Sequence, residues 1–174
     1  MLFTFLNGLF FGSLFFAALL TGRQYVLQYT GSVDRSLTEA NGLLTVFVSI
    51  FLFNFVVSCF LVLTATGLLF FALPIGLLIV RAALWGLMLN RLSTPAFLVT
   101  FLTLLFEGEG YVVAGVAGVD LGLAWLKPTW IGEGMVSRRE VLKQALKECV
   151  YLYVLVVPLL LAAAVIEAFT LHLV

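Results

Sequence analysis

The sequence predicts an all-α polytopic membrane bundle of about five transmembrane helices, with a short interfacial helix before the last. Three observations carry this. Of 174 residues 63% are hydrophobic and only 10% charged, against about 25% charged in a soluble domain. The mean hydropathy is +1.20. Charge-free runs are long, the longest covering the 41 residues 40–80. Nine Lys+Arg and nine Asp+Glu are too few to solvate a globule of this size, which excludes a soluble enzyme. The abundance of apolar groups equally excludes a disordered chain. The balanced charge offers no basic field for nucleic acid.

The elements follow in chain order within a single transmembrane domain, residues 1–174. Met1–Gly22 carries no charge; lacking a basic start and a small-residue cleavage site, it reads as a span over about 2–21 rather than a signal peptide. Residues 23–42, with Arg23, Asp34, Arg35 and Glu39, read as a solvated loop. The run 40–80 would form about 61 Å of straight helix, twice the hydrocarbon thickness. A break at Thr64-Ala65-Thr66-Gly67 divides it into spans over about 43–65 and 68–89. After a turn at 90–95, a fourth span over about 96–126 is interrupted in composition by Glu107-Gly108-Glu109-Gly110. A kink near 107–110 is expected, with two half-helices as the alternative. Ser137 with Glu140 matches a capping box, starting an interfacial helix at Arg138 that leads into a span over about 149–172, kinked at Pro158.

Five of the nine basic residues (Lys127, Arg138, Arg139, Lys143 and Lys147) lie between the last two spans. The positive-inside rule places 127–147 in the cytoplasm, and five crossings put the N-terminus there too. Trp125, Trp130, Tyr151 and Tyr153 flank this segment as an interfacial belt would. The expected location is the cell membrane.

Intramembrane charges are the candidate functional residues, because each is costly unless paired or hydrated. Arg81, Glu107 and Glu167 fall roughly 12, 16 and 8 Å below the outer surface, so a buried cluster of the three is expected. Glu109 is roughly 200° round the helix from Glu107 and faces elsewhere unless the helix breaks. Asp120, near the inner end, is placed to meet a basic side chain from 127–147. Gly110, Ala114, Gly118 and Gly122 form a small-residue stripe that lets another helix approach span four closely. Gly8 and Gly12, beside Asn7, repeat the spacing in span one. Cys59 and Cys149 read as small hydrophobes. His172 is the lone histidine; no His-Glu-x-x-His, Gly-x-Ser-x-Gly or Gly-x-x-x-x-Gly-Lys motif occurs. No enzyme activity, cofactor or metal is expected.

Three stretches resemble the stage II sporulation protein M family over roughly residues 45–173. They are Phe106-Glu107 continued by Val112–Gly122; Arg139–Ala145 leading into the last span; and Val157-Pro158-Leu159-Leu160-Leu161 with Ile166-Glu167-Ala168-Phe169. The chain departs from the family's pattern at Leu102-Thr103-Leu104, where relatives often have Pro-His-Gly, at Asp120, often basic, and at Gly108-Glu109-Gly110, so it resembles a divergent member. The resemblance implies a membrane protein of about five helices; the named member works in a membrane-anchored complex with peptidoglycan-degrading partners. The expectation is a non-enzymatic assembly or membrane-organising component whose partners are the lipid bilayer and either copies of itself or other membrane proteins. The alternative is a small channel or transporter using Glu107, Glu167 and Arg81.

Overall fold

The computed structural model describes residues 1–21, 42–89, 94–126 and 137–173. The loop expected at 23–42, the turn at 90–95 and the aromatic Trp130 lie wholly or mostly outside these residues, and so does the side chain of His172. The described residues form helices and short connections, with no strand.

Helix α1 covers Leu2–Thr21, about 30 Å and so one hydrocarbon thickness. Next come α2, Leu43–Leu52, a π-helix, Phe53–Ala65, and α3, Thr66–Leu69. These three run on without interruption as 27 apolar residues long enough to cross a membrane. Helix α4, Leu73–Leu89, is a shorter apolar helix. Helix α5 is Thr94–Leu126 and α6 is Arg138–Leu173. Among the described residues four helices are long and apolar enough to span, with the shorter α4 beside them. The fold is an all-α membrane bundle.

The break between the second and third spans falls at Phe70–Ala72, not at Thr64–Gly67. Phe70 is extended (φ −160°, ψ 122°), and the turn closes through Leu73 N–H donating to the Phe70 carbonyl at 2.9 Å. Pro74 explains the position. Its ring collides with the carbonyl four residues back in a continuing helix, which is that of Phe70, while in the first turn of α4 its missing N–H costs no bond. The Thr-Ala-Thr-Gly stretch stays helical, with Thr66 Oγ1 donating back to the Val62 carbonyl at 2.6 Å.

Of the two readings of Glu107–Gly110, one continuous helix or two half-helices, the first is found. Helix α5 runs unbroken through Glu107–Gly110, so half-helices do not form. Its glycines there make room for neighbours: a Cβ at Gly108 would lie 2.6 Å from the Phe10 ring, and one at Gly110 3.1 Å from Leu160. The helix expected to start at Arg138 does so and runs into the last span, α6 being continuous from its capping box through Pro158. The box is reciprocal: Glu140 N–H donates to Ser137 Oγ at 3.3 Å, and Ser137 N–H to Glu140 Oε2 at 3.2 Å. The other side of the connection is closed by Arg138, whose Nε donates to the Trp125 carbonyl at 2.9 Å while its guanidinium sits 4.6 Å over the Trp125 ring. That carbonyl, in the last turn of α5, has no partner within its own helix.

Helix α5 is central. It packs most extensively on α6 and also touches α1, the π-helix, α3 and α4. A Cβ on Gly118 would overlap the Leu63 carbonyl, and one on Gly122 the Gly67 carbonyl; one on Gly67 would overlap Gly118 in turn. Backbone therefore lies on backbone, as small residues permit between membrane helices. Gly8 and Gly12 are different: a Cβ at either meets nothing within 4 Å. Gly118→Val is expected to cost about 1–3 kcal/mol or more through overpacking. Gly12→Ala should stay within about 0.5 kcal/mol. Thermal unfolding of the two variants in detergent checks the contrast.

Candidate functional site

The π-helix does what an α-helix of the same sequence would not. Its i→i+5 bonding adds about one residue per turn. This gathers Asn54, Ser58, Cys59, Leu63 and Thr64 into the interior, although they share no face at α-helical spacing. Asn54 is presented to α5 near Glu107 and Tyr111, which are four residues apart on one face of that helix. From α4 comes Arg81. The Tyr111 hydroxyl is the meeting point: Arg81 Nη2 donates to it at 2.6 Å, Asn54 Oδ1 is 2.8 Å away, and it is hydrogen-bonded to Glu107 Oε1. Arg81 Nη2 also lies 3.6 Å from the Glu107 carboxylate.

A phenol has one proton and two lone pairs. With Arg81 donating to one lone pair, the proton goes to the charged acceptor, Glu107. Asn54 then fills the second lone pair by presenting its amide NH2 in place of Oδ1, the exchange that hydrogen-bond networks commonly decide. Four side chains from three segments are satisfied by this one arrangement.

Arg81 is held by ring faces as well. Its guanidinium carbon is 5.1 Å from the Trp85 centroid and 4.2 Å from that of Tyr111. Phe10 of α1 meets Trp85 edge-on at 5.9 Å, which ties α1 to the cluster. The Glu107 side chain is 7% exposed and that of Arg81 30%. Arg81 Nε is buried without a hydrogen-bond partner, so the guanidinium acts here mainly through Nη2 and its ring contacts.

The structure thus joins Arg81 to Glu107 directly. Glu167 is not in contact with them: its charge acts on Glu107, but among the described residues it forms no hydrogen bond or ion pair. Glu109 turns the other way, accepting from Asn7 Nδ2 at 3.0 Å. Asp120 meets no basic group among the described residues; the charge that acts on it is that of Glu148. The 127–136 part of the basic segment is outside the described residues. Both cysteines are free, Cys59 buried and Cys149 partly so. No group of three His, Cys, Asp or Glu side chains among the described residues is placed to hold a metal ion.

Sequence reasoning missed Tyr111, Asn54 and Trp85. Tyr111 was signalled by its spacing from Glu107, and Trp85 by the same spacing from Arg81. Asn54 was a lone amide in an apolar run, and nothing local says that the helix around it is underwound. A second polar tie escaped for the same reason: Thr64 Oγ1 donates to the Ala114 carbonyl at 3.0 Å. Its proton is therefore spent, and the Tyr153 hydroxyl, 2.8 Å away, donates to it.

The model of the stage II sporulation protein M family matches residues 1–170. The chain belongs to that family. Membership reaches the first span, further than the 45–173 that the sequence resemblance covered. No curated protein and no solved structure matches the chain. In this family member the Arg81–Tyr111–Glu107 contacts sit on the Phe106-Glu107 stretch that carried the resemblance, so that stretch is where the buried charge is balanced.

Removing one member of a buried pair strands the other. Arg81→Met is expected to destabilise by about 3 kcal/mol, and Arg81→Met combined with Glu107→Leu should recover most of that loss. Tyr111→Phe, which leaves three polar groups short of a partner, should cost about 1–3 kcal/mol. Thermal midpoints of the purified variants in one detergent decide all three comparisons.

Proposed function

We propose that this family member is a non-enzymatic assembly or membrane-organising component that meets its partners mainly through helices within the bilayer. One observation supports this best. A groove of about 610 Å3 lies between α1, α5 and α6, lined by apolar side chains including Phe3, Val113, Leu155 and Ala162, with Glu109 in its wall. Glu109 is near the middle of α5, half-buried, and its hydrogen bond among the described residues comes from Asn7. A carboxylate facing acyl chains at that depth is costly. A neighbouring helix that fills the groove and offers a hydrogen-bond donor removes the cost, whereas an acyl chain does not. The Arg81 cluster pairs its charges within the bundle, which suits a role in holding helix register. By charge distribution, the 138–147 end and the N-terminus lie on the cytoplasmic side of the cell membrane.

Isolation from native membranes in mild detergent, with the mass and identity of everything retained, tests the reading. A stoichiometric partner or a defined homo-oligomer is expected, and Ala162→Phe, which fills the groove, should release it without moving the thermal midpoint. A strict monomer with nothing retained would overturn the proposal. Ion flux in liposomes that is lost in Glu107→Gln would replace it with a channel or transporter built on Arg81, Glu107 and Glu167.

A further inference from the structure

Helix α6 has 36 residues, about 54 Å at the α-helical rise, against roughly 30 Å of hydrocarbon. Its first three turns therefore stand at headgroup level when the rest spans. One face of those turns is docked: Val141 and Ala145 are buried against Leu121 and Ala124 of α5. The opposite face carries Arg139, Lys143 and Lys147 at i, i+4 and i+8, all exposed, in one row along the helix.

None of the three forms an ion pair among the described residues. The acids beside them are otherwise engaged, Glu140 with the Ser137 N–H and Glu148 with the Gln144 amide at 2.9 Å. Lys147 Nζ is 5.9 Å over the Tyr151 ring. From there the same face becomes apolar and stays exposed, with Val150 at 66%, Tyr151 at 61% and Val154 at 65%. Cations above, an aromatic ring at the boundary and an aliphatic track below reproduce the polarity profile of one phospholipid molecule.

We propose that this face of α6 is a binding site for a phospholipid of net negative charge. Its phosphate and anionic headgroup lie against Arg139, Lys143 and Lys147, and one acyl chain runs along Tyr151 and Val154. Juxtamembrane basic groups of this kind attract anionic lipid, and long Lys and Arg side chains reach the phosphate layer while their stems cover apolar surface. The apolar track below the cations commits the site to lipid phosphate and not to a soluble phosphate, which has nothing to place there. The site is independent of the groove beside Glu109, and neither proposal depends on the other.

The test uses the full chain reconstituted in phosphatidylcholine vesicles containing a trace of spin-labelled phosphatidylglycerol or spin-labelled phosphatidylcholine, with electron paramagnetic resonance reading the motionally restricted fraction. Phosphatidylglycerol is expected to be favoured at least about threefold, less so at high salt because surface charges are screened. The triple variant Arg139→Gln, Lys143→Gln, Lys147→Gln should lose the preference with its helix content unchanged, since all three side chains are exposed. Should that variant fail to fold, Lys143→Gln alone should narrow the preference and Lys143→Arg keep it. Equal restriction of the two lipids by the wild-type chain would overturn the proposal, as would an undiminished preference in the folded glutamine variants. Displacement of the labelled lipid by millimolar glycerol phosphate at constant ionic strength would overturn the assignment to lipid.

Discussion

An arginine inside a bilayer has no water to fall back on, and Arg81 finds its partners only if several helices hold one arrangement. Its charge is balanced by Glu107 at 3.6 Å, its Nη2 is taken by the Tyr111 hydroxyl, and its flat faces are covered by Trp85 and Tyr111. Asn54 reaches the same hydroxyl, and Phe10 backs Trp85. A shift of α4, α5 or the π-helix by a single residue would strand a charge or a polar group in hydrocarbon, where the alternatives are poor. Register at the level of Arg81 is therefore set by electrostatics. The surrounding apolar contacts could tolerate a slip that this cluster cannot.

Toward the C-terminal end of α5 the constraint changes from charge to shape. Gly67, Gly118 and Gly122 bring the end of the π-helix and α3 onto the backbone of α5, and dispersion between closely packed backbones supplies what hydrophobic burial cannot supply in lipid. The two devices meet along α5, which carries Glu107 and Tyr111 at one level and the glycine contacts at another. The Thr64 hydroxyl, bonded to Ala114 and Tyr153, lies between them in sequence and links the π-helix, α5 and α6. The underwound π-helix is the element that serves both levels at once, because its extra residue per turn delivers Asn54 and Thr64 to their partners in a single run.

Apart from Asn7 Oδ1 and Arg81 Nε, the buried side-chain polar atoms among the described residues find partners within the bundle, which leaves its further interactions to the outside. Two outward features differ in kind: an apolar groove with a single carboxylate at mid-depth, and a basic row at headgroup height that passes into an apolar track. The first suits a neighbouring helix and the second a lipid. Both lie partly on α6, but on different faces, so one molecule can be held in the membrane by each at once.

Much of this was legible in the residues themselves. Low charge and long apolar runs settle that the chain is a membrane bundle, because no other solvent suits such a surface, and Ser137 with Glu140 marks where the last helix begins. Intramembrane Arg81 and Glu107 declare themselves by their cost, and the stripe Gly110–Ala114–Gly118–Gly122 marks a face for close approach. The Phe70 break could also have been read from Pro74, since the clash is local. Tertiary structure alone decided the rest. Gly8 and Gly12 have the same spacing as the α5 stripe yet face open space, because spacing says that a helix can be approached and not that one is there. Glu167 is expected in the same half of the membrane as Arg81 yet forms no ion pair with it among the described residues, since depth is set by rise along the chain and contact by rotation about the axis. Asn54 reaches Tyr111 only because the helix around it is underwound, and its partner there lies 57 residues away in the chain.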